Sequence, residues 1–231
     1  MSTPSLISTT SVLSLSLTVL LLGAAYLASL LALPKSTTAK TRAIYIWHIF
    51  DGMTHLVLEG SFLYYSLLSC SSEAAASVST PTLYGNAAVS CGARYSSAPL
   101  AQLWQEYARA DVRWAVADVG IVCIELVTVL LGGPAALWIA AMVRKGEARQ
   151  WFWISVLAVA EIYGGWMTFA PEWISGNNAL VTGNWMYKWL YLAFFNGLWV
   201  VIPLWLLWEA YWQMVPATEA AMKAQTGKKR N

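Results

Sequence analysis

His48, Asp51, His55 and Glu59 stand three, four and four residues apart, so on a helix all four side chains leave one face. They include both histidines of the chain. Further on, Asp118 and Glu125 lie two helical turns apart with Thr128 after them, Glu161 stands near Tyr163, and Asn196 precedes Trp199 by one turn. Such groups suit a metal site, a proton pathway, or general acid and base work on a bound substrate. The first lacks the HxxxH or HExxH spacing of zinc, so no metal is expected. The second needs polar groups through every apolar segment, and the first segment offers none. The third fits better. A carboxyl group walled by apolar side chains can hold a proton at neutral pH, and a second carboxylate or an imidazole can collect one from a neighbouring carbon. Adding a proton at one carbon and removing one from another shifts a double bond. The electron-rich face of Trp199 would steady the carbocation between the two steps.

The elements that must hold these groups are membrane helices. The chain has 231 residues, 58% apolar and 11% charged, with 14 tryptophans, far from the charge content of a soluble domain. A bilayer interior about 30 Å thick needs roughly 20 apolar residues per helix. Five stretches qualify, near 12–33, 44–68, 114–143, 151–171 and 186–213. The expected class is therefore all-α: a polytopic membrane protein, a bundle of five transmembrane helices with a polar site inside. Neither the period-two alternation nor the short strands of a β-barrel are present. Trp151, Trp153, Trp173, Trp185 and Tyr187 crowd the ends as an aromatic belt. Ionisable groups at bilayer depth are costly unless paired or solvated in a cavity, so the stripe must turn inward. This cost favours function over packing for His55, Glu59, Glu125 and Asn196. His48 and Asp51 lie near one end of their span and read equally well as interfacial groups. The net charge of +2 is too small for a nucleic-acid surface, and no nucleic-acid partner is expected.

The chain divides into 1–43, an amino-terminal tail, first span and connection; 44–214, a four-helix core with a long loop at 69–113; and 215–231, a basic tail. Lys35, Lys40 and Arg42, then Arg144, Lys145 and Arg149, then Lys223, Lys228, Lys229 and Arg230 fall on one side, which the positive-inside rule makes cytosolic together with the carboxyl terminus. The first span has no basic residue before it and a long apolar core, so it reads as an uncleaved anchor. The closing Lys228, Lys229, Arg230 and Asn231 fit either a dilysine address for the endoplasmic reticulum or a solvated tail. Cys70 and Cys91 share the lumenal loop, where a disulfide is expected, whereas Cys123 lies in a span as a small apolar residue. The Ser- and Ala-rich stretch 69–99 reads as a flexible excursion. The segment 100–114 reads as an interfacial helix, with Leu103, Trp104 and Tyr107 toward lipid or the bundle and Gln105, Glu106 and Arg109 toward water. Asp111, Arg113 and Glu209 read as boundary charges, Glu161 as a pairing group as well as a site candidate, and Gly132, Gly133 and Pro134 as a kink with close helix contact.

The segments HLVLEG at 55–60, LWQEYARAD at 103–111, CIELVT at 123–128, EIYGG at 161–165 and FNGLWVVIP at 195–203 resemble the emopamil-binding protein family, the EXPERA-domain sterol isomerases. The resemblance covers about 45–214. It implies a five-span enzyme of the endoplasmic reticulum that moves a sterol double bond from Δ8 to Δ7 through a carbocation, without a cofactor. By position, His55, Glu59 and Glu125 resemble the proton-handling group, Asn196 the residue orienting it and Trp199 the cation-stabilising aromatic. Tyr107, Asp118 and Thr128 would line the pocket, and Glu161 and Tyr163 join them as substrate-binding candidates. The implied partners are a sterol or terpenoid entering from the bilayer, membrane lipid, and cationic amphiphilic inhibitors whose protonated amine imitates the carbocation; a homodimer is compatible. Two departures stand out. Where the family carries an acid after IYG this chain has Gly165, with Glu161 one turn earlier, and the loop 69–99 is longer. The scaffold could therefore serve another polycyclic terpenoid, by isomerisation or cyclisation, since alkene protonation begins both. A non-catalytic sterol or lipid binder, like the sigma-2 receptor, is the third reading.

Overall fold

A computed structural model describes residues 7–72, 85 and 88–228, with side chains to 226. Helix α1 (Thr9–Ala32) starts where Ser8 and Ser11 cap one another reciprocally. Helix α2 (Ala39–Met53) starts on the Thr38 hydroxyl, which accepts from the Thr41 amide. It runs unbroken through a wider π-helical turn, Thr54–Glu59, into α3 (Gly60–Leu68). Two short antiparallel strands, β1 (Cys70–Ser71) and β2 (Ser90–Cys91), follow, and the expected Cys70–Cys91 disulfide joins them. Most of the excursion between them, and the closing Lys228, Lys229, Arg230 and Asn231 side chains, lie outside the described residues. Helix α4 (Pro99–Tyr107) opens with proline, whose missing N–H has no partner in a first turn anyway. Helix α5 (Val119–Val127) passes through a second π-helical turn, Thr128–Gly132, into α6 (Gly133–Lys145). Helices α6 and α7 (Gln150–Ser175) both stop on left-handed glycines, Gly146 and Gly176. A third wide segment, Met186–Phe195, leads into α8 (Asn196–Lys228).

Among the described residues, four helices are long and apolar enough to cross a membrane: Thr9–Ala32, Val119–Lys145, Gln150–Ser175 and Met186–Thr226. The helical stretch 39–68 is not among them, since Asp51, Glu59 and the two histidines lower its mean hydropathy. The third segment begins later than the expected 114, because Val112–Ala115 is a 3-10 turn and Asp118 caps the helix that follows. The interfacial helix ends at Tyr107, short of the expected 114. The last helix runs on past 213 into the basic tail.

Helix α7 packs along α8, α2 along α6, and α1 against α2 and α4. Gly52 lets α2 approach α6 closely: a Cβ there would sit 2.7 Å from Leu137 Cδ2 and 3.2 Å from the Gly133 carbonyl oxygen. Beneath α4, Phe62 is fully buried against Trp104 and Trp114, whose rings stack 4.8 Å apart. Asp111 and Arg113 form a buried pair, not solvated boundary charges. The guanidinium donates to both Asp111 oxygens at 2.9 and 2.7 Å, and lies 3.7 Å from Glu172 of α7. Outward faces keep Leu31, Leu130, Leu131 and Ile174 exposed, as lipid-facing helices do.

Candidate functional site

A mainly apolar cavity of about 930 Å³ opens among these helices, near the upper end of the roughly 300–1,000 Å³ common for small-molecule pockets. Its polar wall begins at His55, which is buried. The i, i+4 offsets on either side of the imidazole place an acid at each ring nitrogen. Nε2 lies 3.1 Å from Asp51 Oδ1, and Nδ1 lies 2.5 Å from Glu59 Oε2. Each contact requires a hydrogen, so the three side chains together hold two protons.

Glu59 of the first π-helical turn and Glu125 of α5 line the same cavity. Neighbouring buried carboxyl groups are accommodated when one of them keeps its proton. Thr128, at the start of the second wide turn, donates to Glu125 Oε2 at 2.7 Å and fixes that carboxyl's orientation. On the other side, Asp51 Oδ1 accepts from Trp199 Nε1 at 2.7 Å. The Trp199 ring then lies 6.5 Å from the imidazole, 5.5 Å from Trp47 and 6.0 Å from Phe50, forming an aromatic face on the cavity. Asp51 Oδ2 and both Glu161 oxygens are buried without hydrogen-bond partners, and one atom each of Asp51, His55 and Glu161 lies within 4.8 Å of the others. This trio could hold a metal ion. Both imidazole nitrogens are already engaged by acids, however, so an ion would have to displace the Asp51 contact, and a shared proton would satisfy the orphan oxygens without that loss.

The cavity brings together His55, Glu59, Glu125, Thr128, Glu161, Tyr107, Asn196 and Trp199. Tyr163 reaches it only at a largely exposed rim. Asp118 does not line it. Its carboxylate accepts from the Ile121 amide at 3.0 Å as a helix cap, which explains an acid at that position without any substrate. His48, on the same stripe, also leaves the cavity wall and contacts the Ile44 carbonyl at 2.7 Å. Asn196 does not contact the acids it was expected to orient. It donates to the Tyr107 hydroxyl at 2.9 Å and to the Tyr191 and Leu192 carbonyls at 3.0 and 2.9 Å, where the wide turn passes into α8. Burial pushes the Tyr107 phenol well above its ordinary pKa, so it is a neutral partner for that amide.

Glu106, read as facing water, is buried and lines the cavity. It accepts from Ser11 at 2.7 Å and from Tyr191 at 3.0 Å. The available signal was its spacing: three residues after Leu103, it shares that residue's inward face. Asp51 is the second residue whose place was understated. Only its four-residue offset from His55 pointed to the contact now seen.

Residues 99–210 match the family model described as EXPERA, the expanded EBP superfamily. The chain is 30% identical over 174 residues to the 3-beta-hydroxysteroid-Delta(8),Delta(7)-isomerase of Cavia porcellus, covering 75% of this chain and 66% of that protein. It is 24% identical to the probable enzyme of the same name from Oryza sativa, over 80% of this chain and 73% of the relative. It is also 25% identical to a protoglabretal synthase of Ailanthus altissima, over 68% and 61%. The chain spans just under two thirds of the Cavia relative's length, and 61% of the Rattus norvegicus isomerase. The relatives named as sterol isomerases are enzymes that shift a carbon–carbon double bond. The matched segments carry α4 to α8 and much of the cavity wall, and on this ground the chain belongs to the EXPERA, or expanded EBP, superfamily.

Proposed function

We propose that this chain is a double-bond isomerase of a sterol, moving Δ8 to Δ7 by acid and base chemistry without a cofactor. One observation carries the reading: an imidazole bound by two acids, with a further acid, Glu125, on the wall of the same apolar cavity faced by Trp199. The Glu59–Glu125 pair supplies a proton to one alkene carbon, and the π electrons form the new C–H bond. The cation left on the neighbouring carbon lies against the Trp199 face, whose indole is held by Asp51. A C–H bond on the next carbon breaks, its electrons form the new double bond, and the network takes the proton. One proton enters and one leaves, so the isomerisation balances. His55, joined to both Asp51 and Glu59, lets donor and acceptor exchange protons between turnovers.

In this reading 39–68 is a fifth span alongside the four apolar helices. The chain is a multi-pass protein of the endoplasmic reticulum with a cytosolic carboxyl terminus, the substrate enters from the bilayer, and cationic amphiphiles inhibit. A homodimer is compatible with the exposed apolar flanks. The relatives named protoglabretal synthase and isomeliandiol synthase support a second reading, a related polycyclic terpenoid as substrate, isomerised or cyclised. The test is incubation of purified protein in nanodiscs with a Δ8 sterol in deuterated water. One deuterium in each Δ7 product supports the proposal, whereas conversion only of terpenoids outside the sterols replaces it with the second reading. Glu125→Gln should abolish turnover, a loss of about a hundredfold or more, while leaving the fold intact. Full activity in that variant removes Glu125 from the reaction.

A further inference from the structure

The acid network is not the only polar feature of the cavity. Glu106 of α4 reaches the same cavity, with Ser14 and Thr18 of α1 on that wall. The neighbouring glutamines of α4 stay outside. Gln102 donates to the Ser97 carbonyl, and Gln105 to the Ala93 and Ser96 carbonyls. Burying a carboxylate demands compensation, and here three elements supply it: Ser11 from α1, Tyr191 from the last helix, and Arg109 at 3.2 Å. Arg109 itself lies over the Tyr187 ring, 5.3 Å from its centroid.

We propose that Glu106 and Tyr191, braced by Ser11, form an alcohol-binding subsite that anchors a hydroxyl on the end ring of the substrate and so decides which ring meets the acids. The inference rests on the proposed isomerase and narrows its substrate to a polycycle with a terminal hydroxyl. The hydrogen-bond inventory leaves room for such a group. Glu106 Oε1 takes Ser11, Tyr191 and, at 3.4 Å, Arg109, whereas among the described residues Oε2 takes only Arg109, so a lone pair remains on Oε2. The Tyr191 oxygen donates to Glu106 and keeps its own lone pairs. The spacing also suits fused rings. Tyr191 and Trp199 are eight residues apart along the last helix, roughly 10–12 Å on its axis, so a hydroxyl bound at Tyr191 is set off from the aromatic face by the length of a polycycle and not of a single ring. The relatives named as acting on 3-beta-hydroxysteroids carry a hydroxyl in their substrate's name.

The alternative is that Glu106 only pins α1, α4 and the last helix together. Substrates can separate the two roles. With wild-type protein, a 3-hydroxy Δ8 sterol and its 3-deoxy counterpart should differ by about ten- to hundredfold in KM, with kcat alike. Glu106→Gln and Tyr191→Phe should raise KM for the hydroxylated substrate toward the deoxy value and leave the deoxy value unchanged. Tyr191→Phe retains the ring and its packing, so it reports on the hydroxyl even if Glu106→Gln folds poorly. Equal KM increases for both substrates, or no discrimination by the wild type, overturn the subsite. If neither sterol turns over, the isomerase reading fails. The subsite is then judged by binding of a saturated 3-hydroxysterol against its deoxy form, followed by tryptophan fluorescence: a preference lost in Tyr191→Phe supports it, and no preference rejects it.

Discussion

An imidazole with an acid at each nitrogen is useful only if its neighbours differ in what they can give up. Glu59 shares the cavity wall with Glu125, while Asp51 leads to Trp199 and Glu161. Asp51→Asn keeps the shape and an acceptor for the indole, but removes the charge opposite His55. Turnover should fall by about a hundredfold, with sterol binding nearly unchanged; a KM effect alone would make Asp51 structural. Trp199→Phe keeps an aromatic face and loses one hydrogen bond, so kcat should drop only about tenfold. Glu161→Gln separates the two possible roles of that acid. Its amide N–H can donate to the orphan Asp51 oxygen, so a pairing role predicts activity within a few-fold of wild type, and loss of turnover would show that the Glu161 proton takes part. His55, Glu59, Glu125 and Trp199 were legible because charge and helical spacing inside an apolar run have few explanations. Asp118 and Asn196 were not, because a helix cap and an amide serving backbone carbonyls use residue types that also suit catalysis. Glu106 was misplaced because amphipathic reading assigns carboxylates to water, and nothing local announced donors from Ser11 and Tyr191, 95 and 85 residues away.

The three wide turns sit where the site does. Thr54–Glu59 carries His55, Thr128–Gly132 carries the hydroxyl that fixes Glu125, and Met186–Phe195 carries Tyr191. A π-helical turn offsets the side chains beyond it from the ordinary helical phase, which redirects residues into a cavity at some cost in backbone bonding. The approximate positions of four apolar helices followed from hydropathy, whereas these turns did not, since an average over a window is indifferent to local phase. The polar stripe in 39–68 also depressed the very signal that marks a membrane span. Close approach of α2 to α6 holds the first two turns side by side and depends on Gly52. Gly52→Val drives new methyl groups into Leu137 and the Gly133 carbonyl, and should destabilise by about 1–3 kcal/mol. Thermal unfolding in detergent would register the loss. An unchanged midpoint would mean that the helices can part without penalty.

The ends of the molecule differ in chemistry, and the proposed orientation rests on that difference. At one end Lys40, in the first turn of α2, pairs with Glu209 at 2.8 Å and ties α2 to the last helix, and Arg42 donates to the carbonyls of Ser29 in α1 and Pro34 in the connection that follows it. Arg144, Lys145 and Arg149 lie at the α6–α7 turn. At the other end stand the Cys70–Cys91 disulfide, the Asp111–Arg113–Glu172 cluster and the Ser8 cap of α1. With 39–68 counted as a span, as proposed, the basic groups before α2 and between α6 and α7 fall on one side and the disulfide on the other, so the positive-inside rule and the redox requirement both favour the proposed orientation. The arrangement can be tested in sealed microsomes on a Cys123→Ala background. A cysteine in place of Lys35, exposed in the connection between α1 and α2, should react with a membrane-impermeant maleimide in intact vesicles. A cysteine in place of Ser97, exposed just before α4, should react only after detergent opens them. Reaction of both in intact vesicles would place them on the same side, and 39–68 could then no longer be a span. Reversal of the pattern would leave the span count standing but turn the molecule over, placing Cys70 and Cys91 in a reducing compartment where the bridge would not persist.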